Sequence, residues 1–270
     1  MSEELINKVL AEVVKKMGGD DPAPSAAPAP TPAPTPAAGA LPCVTEFVGI
    51  NVLGDTIGMV IANVDPKLRA MMKLEKDFRS IGILGARTGA GPHIFAADEA
   101  VKATNSEILT IELPRDTKGG AGHGSLIIFG AEDVSDARRA VEVSLGELDR
   151  TFGDVYGNDA GHLEFQYTAR ASYALNKAFG APIGKAFGIT VGAPAGIGVV
   201  LADTAVKAAT VDVIGYASPA GGTSYSNEVI SFLSGDSGAV RQAIIAAREV
   251  GIPLLGALGA KPESTTTPYI

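Results

Sequence analysis

At 270 residues, 46% hydrophobic and without tryptophan, the chain is long enough to bury two cores of ordinary domain size. A formal net charge of -8 with no basic stripe gives nucleic acid no electrostatic footing, and the single Cys43 excludes an intrachain disulfide, as in a reducing cytoplasm. The longest uncharged apolar stretch, 186–202, carries Pro194 and four glycines, so it reads as strand, turn and helix start rather than a membrane span; early Glu3 and Glu4 argue against a secretory leader.

Residues 1–17 place Leu5, Ile6, Val9, Leu10 and Val13 on one side of an amphipathic helix, with Ser2 as its N-cap and Gly18-Gly19 as its stop. Residues 18–42 form a linker whose eight prolines alternate with Ala, Thr and Ser, a composition for an extended polyproline spacer. A short helix on such a tether is marginal in water, so its apolar face is expected to dock on a partner protein. The tail of helix and linker together carries five acids against three lysines, which does not suit an anionic membrane.

Past the tether, 47–64 reads as a hairpin around Gly54-Asp55, and Asp65-Pro66 opens a helix with Leu68, Met71, Met72 and Leu74 as its buried side. Strands are predicted at 81–86, 107–113 and 125–130, and helices at 92–104 and 133–152, the latter with Asp133 and Asp136 as capping groups. A second series follows: strands 187–191, 211–217 and 229–233, and helices 197–210 and 236–250. The heptapeptide Ala97-Asp98-Glu99-Ala100-Val101-Lys102-Ala103 returns as Ala202-Asp203-Thr204-Ala205-Val206-Lys207-Ala208, at an offset of 203 − 98 = 105 residues. That period is too long for a solenoid and right for a domain, so the chain reads as two tandem copies of one α/β module.

One enzyme reading competes. Gly85, Gly89 and Gly91 lie between a strand and a helix, Glu112 follows where a dinucleotide fold keeps its ribose-binding acid, and Tyr173 and Lys177 form a Tyr-x-x-x-Lys pair, together resembling a short-chain-dehydrogenase-like NAD(P) oxidoreductase. The glycine spacing departs from that pattern, and the repeat divides the chain inside the supposed single sheet. His93, His123 and His162 are scattered through unlike contexts, so no zinc site, cofactor or catalytic group is predicted. A soluble oligomeric ligand-binding protein is the other alternative.

The stretches RSIGILGARTGAGPH at 79–93, ELPRDTKGGAGHGS at 112–125, LDRTFGDVY at 148–156 and QYTARASYAL at 166–175 resemble the bacterial microcompartment shell proteins, specifically the tandem-domain kind of propanediol-utilisation organelles. The resemblance implies an α/β (α+β) fold of two circularly permuted domains, 45–153 and 154–265, each a small antiparallel sheet flanked by helices. It implies a non-catalytic protein whose homotrimers form pseudohexameric discs that tile with other shell proteins around an organelle in the cytoplasm. Lys102 and Lys207 would stand at the disc edge. Pore loops at 115–124 and 218–227 would bring Lys118, Gly119, Gly120, Gly122 and His123 together with Ser218, Gly221, Gly222, Thr223 and Ser224 to pass small polar metabolites such as glycerol or 1,2-propanediol. The tethered helix would link the shell to lumenal enzymes. Without the resemblance, the same lysines and loops read as ordinary solvated surface.

Overall fold

The computed structural model describes residues 44–74, 76–115, 123–222, 224 and 226–270. The tethered-helix residues Leu5, Ile6, Val9, Leu10 and Val13, and the loop residues Lys118, Gly119, Gly120, Gly122 and Thr223, lie outside the described residues.

Two short strands, β1 (Phe47–Asn51) and β2 (Thr56–Ile61), form the expected hairpin across a 3-10 turn at Leu53–Asp55. The Asp65 carboxylate accepts from the amides of Lys67 and Leu68 at 2.9 and 3.0 Å and starts α1 (Pro66–Met71). The predicted buried side of this helix needs correction: Leu68 and Met71 are exposed. The helix is only six residues long, and it is the chain leaving it, through Met72, Leu74 and Phe78, that packs beneath Ile81, Leu109 and Ile128.

The first module continues with β3 (Ser80–Ala86), α2 (Ala90–Ala103), β4 (Glu107–Glu112), β5 (Ser125–Ala131) and α3 (Val134–Thr151). The second contains β6 (Val155–Asn158), β7 (Gly161–Thr168), α4 (Tyr173–Phe179), β8 (Ala186–Ala193), α5 (Ala195–Ala208), β9 (Asp212–Ala217), β10 (Val229–Gly235), α6 (Ser237–Gly256) and β11 (Glu263–Ser264). Sequence periodicity had marked nothing between 154 and 186, where β6, β7 and α4 lie. The expected side-chain cap on α3 is also absent: Asp133 accepts the Asp136 and Ala137 amides through its backbone oxygen, both at 3.2 Å. Its carboxylate acts only as a charge near the positive helix end.

The repeat is visible in the ladders. The first sheet runs β1-β2-β3-β5-β4 and the second β11-β6-β7-β8-β10-β9, every pairing antiparallel. Helices α3 and α6 cover equivalent faces. Gly82 lets the Ala137–Val141 turn of α3 approach β3, and Gly188 does the same for Val240 and Ile244 of α6; a Cβ at either would meet atoms at 3.0 Å or closer. The sheet order removes the dinucleotide reading: β3 and β4, on either side of the Gly85–Gly91 turn and α2, run parallel, but β5 lies between them and antiparallel to both, so the sheet has none of the adjacent parallel strands that a dinucleotide fold requires. Tyr173 is exposed at the start of α4, in a separate place from that turn.

One core runs across both modules. Ile94 and Phe95 of α2 are buried with Leu175 of α4 and with Phe187, Ile189 and Val191 of β8. Phe95 stacks on Phe187 at 5.9 Å, and Phe179 bridges Phe187 and Phe232 at 6.0 and 4.9 Å. The face of the second sheet that does not carry α6 is therefore covered by a helix of the first module.

Candidate channel seam and assembly surfaces

The seam brings together two loops that sequence could only place at matching positions of the repeat. His123, at the end of the β4–β5 loop, donates from Nε2 to the Ser224 carbonyl in the β9–β10 loop at 2.7 Å. His123 is itself held in place by the Ala90 amide, which donates to its carbonyl at 2.9 Å at the start of α2. Ser218 and Gly221 exchange backbone hydrogen bonds, Gly222 takes a left-handed conformation at φ 71°, and the Ser224 hydroxyl donates to the Glu228 carbonyl at 2.8 Å. Of the described pore candidates, the fold thus joins His123 to Ser224 and leaves Ser218, Gly221 and Gly222 in the turn leading to them.

Behind this contact lies a polar cluster that sequence reasoning missed. The Glu228 carboxylate accepts from His162 Nε2 at 3.0 Å and stands 3.7 Å from His123 Nε2. Burial opposes ionisation of Glu228, but the hydrogen bond and charge of His162 outweigh it and hold the carboxyl below its ordinary range. Glu164, two residues along β7 from His162 and therefore on the same face, is fully buried, and its Oε1 has no hydrogen-bond partner among the described residues. Burial, reinforced by the Glu228 charge, pushes the Glu164 carboxyl up to about 8. His162 and His123, read from sequence as unrelated, share one carboxylate. The available signal was the His-x-Glu alternation on a strand, which places both side chains together only once the strand is recognised.

The cluster edges a cavity of about 30 Å³, room for a water molecule, lined by Gly91, Leu113, His123, Glu164, Phe179 and Glu228 among others. Gly91 makes the approach possible, since a Cβ there would stand 1.8 Å from Glu164 Oε1. His93 has a separate role: its ring lies between the Gly89 carbonyl and the Thr56 hydroxyl, and burial, against the pull of that backbone bond, lowers it to about 4. Among the described residues, no group of three or more His, Cys, Asp or Glu side chains is placed to hold a metal ion, and no helix is long and apolar enough to cross a membrane.

The two repeated lysines are not equivalent. Lys102 Nζ lies 2.9 Å from Asp98 and 2.8 Å from Glu99, with 25% of its side chain exposed, whereas Lys207 pairs with Asp203 at 2.7 Å and is 73% exposed. Asp98 is buried and accepts from the Ser172 amide at 3.0 Å and the Leu175 amide at 3.2 Å, capping α4 from another module. Burial drives the Asp98 carboxyl up more than Lys102 and these amides draw it down. Replacing Asp98 by Ala leaves the Ser172 and Leu175 amides without their acceptor and Lys102 with Glu99 alone; an expected cost of about 2–3 kcal/mol would appear as faster hydrogen exchange across 173–179. Unchanged exchange there would show that α4 is held by packing alone.

The BMC domain family matches this chain at residues 80–158 and 186–259. The chain is 62% identical over 269 residues to the bacterial microcompartment shell protein PduB of Citrobacter freundii, covering 100% of this chain and 99% of that protein. Among solved structures, a trimeric bacterial microcompartment shell protein PduB superposes with a TM-score of 0.82 at 54% identity, covering 84% of this chain and 100% of that one. EtuB from Clostridium kluyveri does so with a TM-score of 0.81 at 56% identity, covering 85% and 100%.

Proposed function

The chain belongs to the BMC-domain shell proteins of bacterial microcompartments, and on that footing we propose that three copies close head to tail into a six-domain disc with a metabolite path through each intrachain seam. Membership makes its role structural and its place the shell of a protein-bounded compartment in the cytoplasm, and the dehydrogenase and ligand-binding alternatives fall away.

The observation that carries the trimer is the unequal burial of two equivalent helices. At the offset of 105, Phe95 of α2 corresponds to Val200 of α5; Phe95 is buried against β8, while Val200, with Val199 and Val206, is exposed. The edge strand β9 beside it exposes Val213 and Tyr216. The complementary surface is on the first module, where Ile57, Leu68 and Met71 are exposed and α1 occupies the place between β2 and β3 that α4 holds between β7 and β8. A heterologous contact of α5 and β9 with that surface of the next chain repeats the intrachain seam, and such contacts form a ring when the rotation closes. The solved relative described as a trimer supports three copies. Replacing Val200 by Glu is expected to leave a folded monomer with a native circular dichroism spectrum and to abolish the three-lobed particles seen by electron microscopy. Trimers persisting in that variant would sink the proposed interface.

The path is placed at the intrachain seam because its counterpart between chains is apolar. Glu164 pairs with Val191 and Ile57 with Gly85, so Ile57 takes the position of Glu164 in the first sheet. Hydrogen-bonding groups of His123, Ser224 and Glu228 suit glycerol or 1,2-propanediol, the substrates of the compartment type that the sequence resembles. Lys207 is the proposed disc-edge contact. Lys102 serves Asp98 first, so Lys102→Asp would disturb the seam, whereas Lys207→Asp is expected to keep trimers intact and stop their assembly into sheets, as read by sedimentation. The tethered N-terminal helix is assigned to lumenal enzymes on its amphipathicity.

A further inference from the structure

We propose that Glu164 is a proton-operated latch for the intrachain seam: protonated, it lets the β4–β5 and β9–β10 loops stay joined, and ionised, it drives the loop carrying Glu228 away. The consequence for transport rests on the seam being a metabolite path; the opening itself does not.

The geometry leaves an ionised Glu164 without a compensating partner among the described residues. Glu164 Oε1 is buried without a partner among the described residues, against the Gly91 backbone of α2 and beside the small cavity. From α2 it meets Ala90 and Gly91, whose backbone gives Oε1 no hydrogen bond, and from β8 the apolar side chains of Ile189 and Val191. The ionisable groups around it are Glu228 and His123 from the two loops, His162 from its own strand, and Tyr269 near the chain's end. Of these, His162 is already engaged by Glu228, and the His123 Nε2 hydrogen is given to Ser224. A second carboxylate formed here would face Glu228 in a space from which water is largely excluded. The loop with Glu228 is held across the seam by the His123 bond to the Ser224 carbonyl and the 3.7 Å His123–Glu228 contact, and to β7 by the His162–Glu228 bond, so the movement that relieves the repulsion is the one that breaks these contacts.

With the Glu164 carboxyl raised to about 8, the ionised fraction climbs about tenfold between pH 7 and 9. Hydrogen exchange of the full chain, read by mass spectrometry over 86–95 and 226–233 and corrected for intrinsic amide chemistry, is expected to show protection falling about tenfold over that range. In Glu164→Gln, isosteric and uncharged, protection should stay at its pH 7 level throughout, and in His123→Ala it should be low at every pH. Protection that is flat in the parent chain, or that falls equally in Glu164→Gln, overturns the latch. High protection in His123→Ala overturns the assignment of the tie. Solute passage through assembled discs is a separate measurement: an exchange transition without passage would leave the latch and remove the path.

Discussion

Replacing Asp154 by Ala is expected to destabilise the chain by about 3–5 kcal/mol, the cost of leaving a buried cation and several donors without their acceptor. Asp154 is fully buried where α3 hands over to β6. Its Oδ1 accepts from Arg248 of α6 at 2.5 Å and from the Tyr156 hydroxyl at 3.3 Å, and its Oδ2 accepts the amides of Tyr269 and Ile270 at 2.9 and 3.1 Å. Arg248 completes the arrangement by donating to the Ile270 carbonyl at 2.9 Å. One carboxylate therefore ties the start of the second module, its longest helix and residues 269–270 together. Urea unfolding would register the loss as a lower midpoint. Asp154→Asn keeps an acceptor and should cost less; equal stability of the Ala variant and the parent would mean that the network contributes nothing net.

The second large effect is the dependence of stability on pH. Glu164 is raised to about 8 in the folded chain and returns to an ordinary carboxyl when unfolded, so between about pH 4.5 and 8 the native state holds a proton that the unfolded state has released. Its contribution is full below that window and is lost as pH rises through it, at a slope of up to about 1.4 kcal/mol per pH unit. Glu228 works in the opposite sense: held below its ordinary range, it contributes stability that is lost only when the medium becomes acid enough to protonate it in the fold. Urea midpoints of the parent chain should therefore fall from pH 5.5 to 8.5, and Glu164→Gln should be flatter and more stable than the parent at pH 8.5. A parent curve that parallels the variant would show Glu164 ionising freely. The global measurement and the local exchange of the seam are independent, since a carboxyl can depress stability without the loop moving.

How much was legible beforehand differs sharply between residues. The strand around Gly82 and the strand around Gly188 could be aligned from sequence because glycine at a helix-crowded strand position leaves a local trace at the same place in each copy. The turn 85–91, by contrast, carried a local pattern that two folds share, and only the antiparallel neighbours of β3 separated them. His123 and His162 looked unrelated because nothing local says that a residue 105 positions after His123, Glu228, will stand between them. The segment 154–186 was silent because β6 and β7 mix glycine, acids and aromatics without a clean alternation, their burial coming from both sides.

By itself the sequence determined the duplication, most of the helices and strands, and the family, since these rest on local periodicity and on long strings of identical residues. Only the tertiary structure decided what the copies do differently. Phe95 is buried and Val200 is not, Lys102 is bound to a buried cap and Lys207 stands in solvent, and Glu164 faces a second carboxylate where Ile57 holds the same place in the first sheet. The physical reason is common to all three. Burial, pairing and proton affinity belong to the surface that a residue meets, and in this tandem repeat α2 is met by the second module of its own chain, while the equivalent surface of α5 stays exposed.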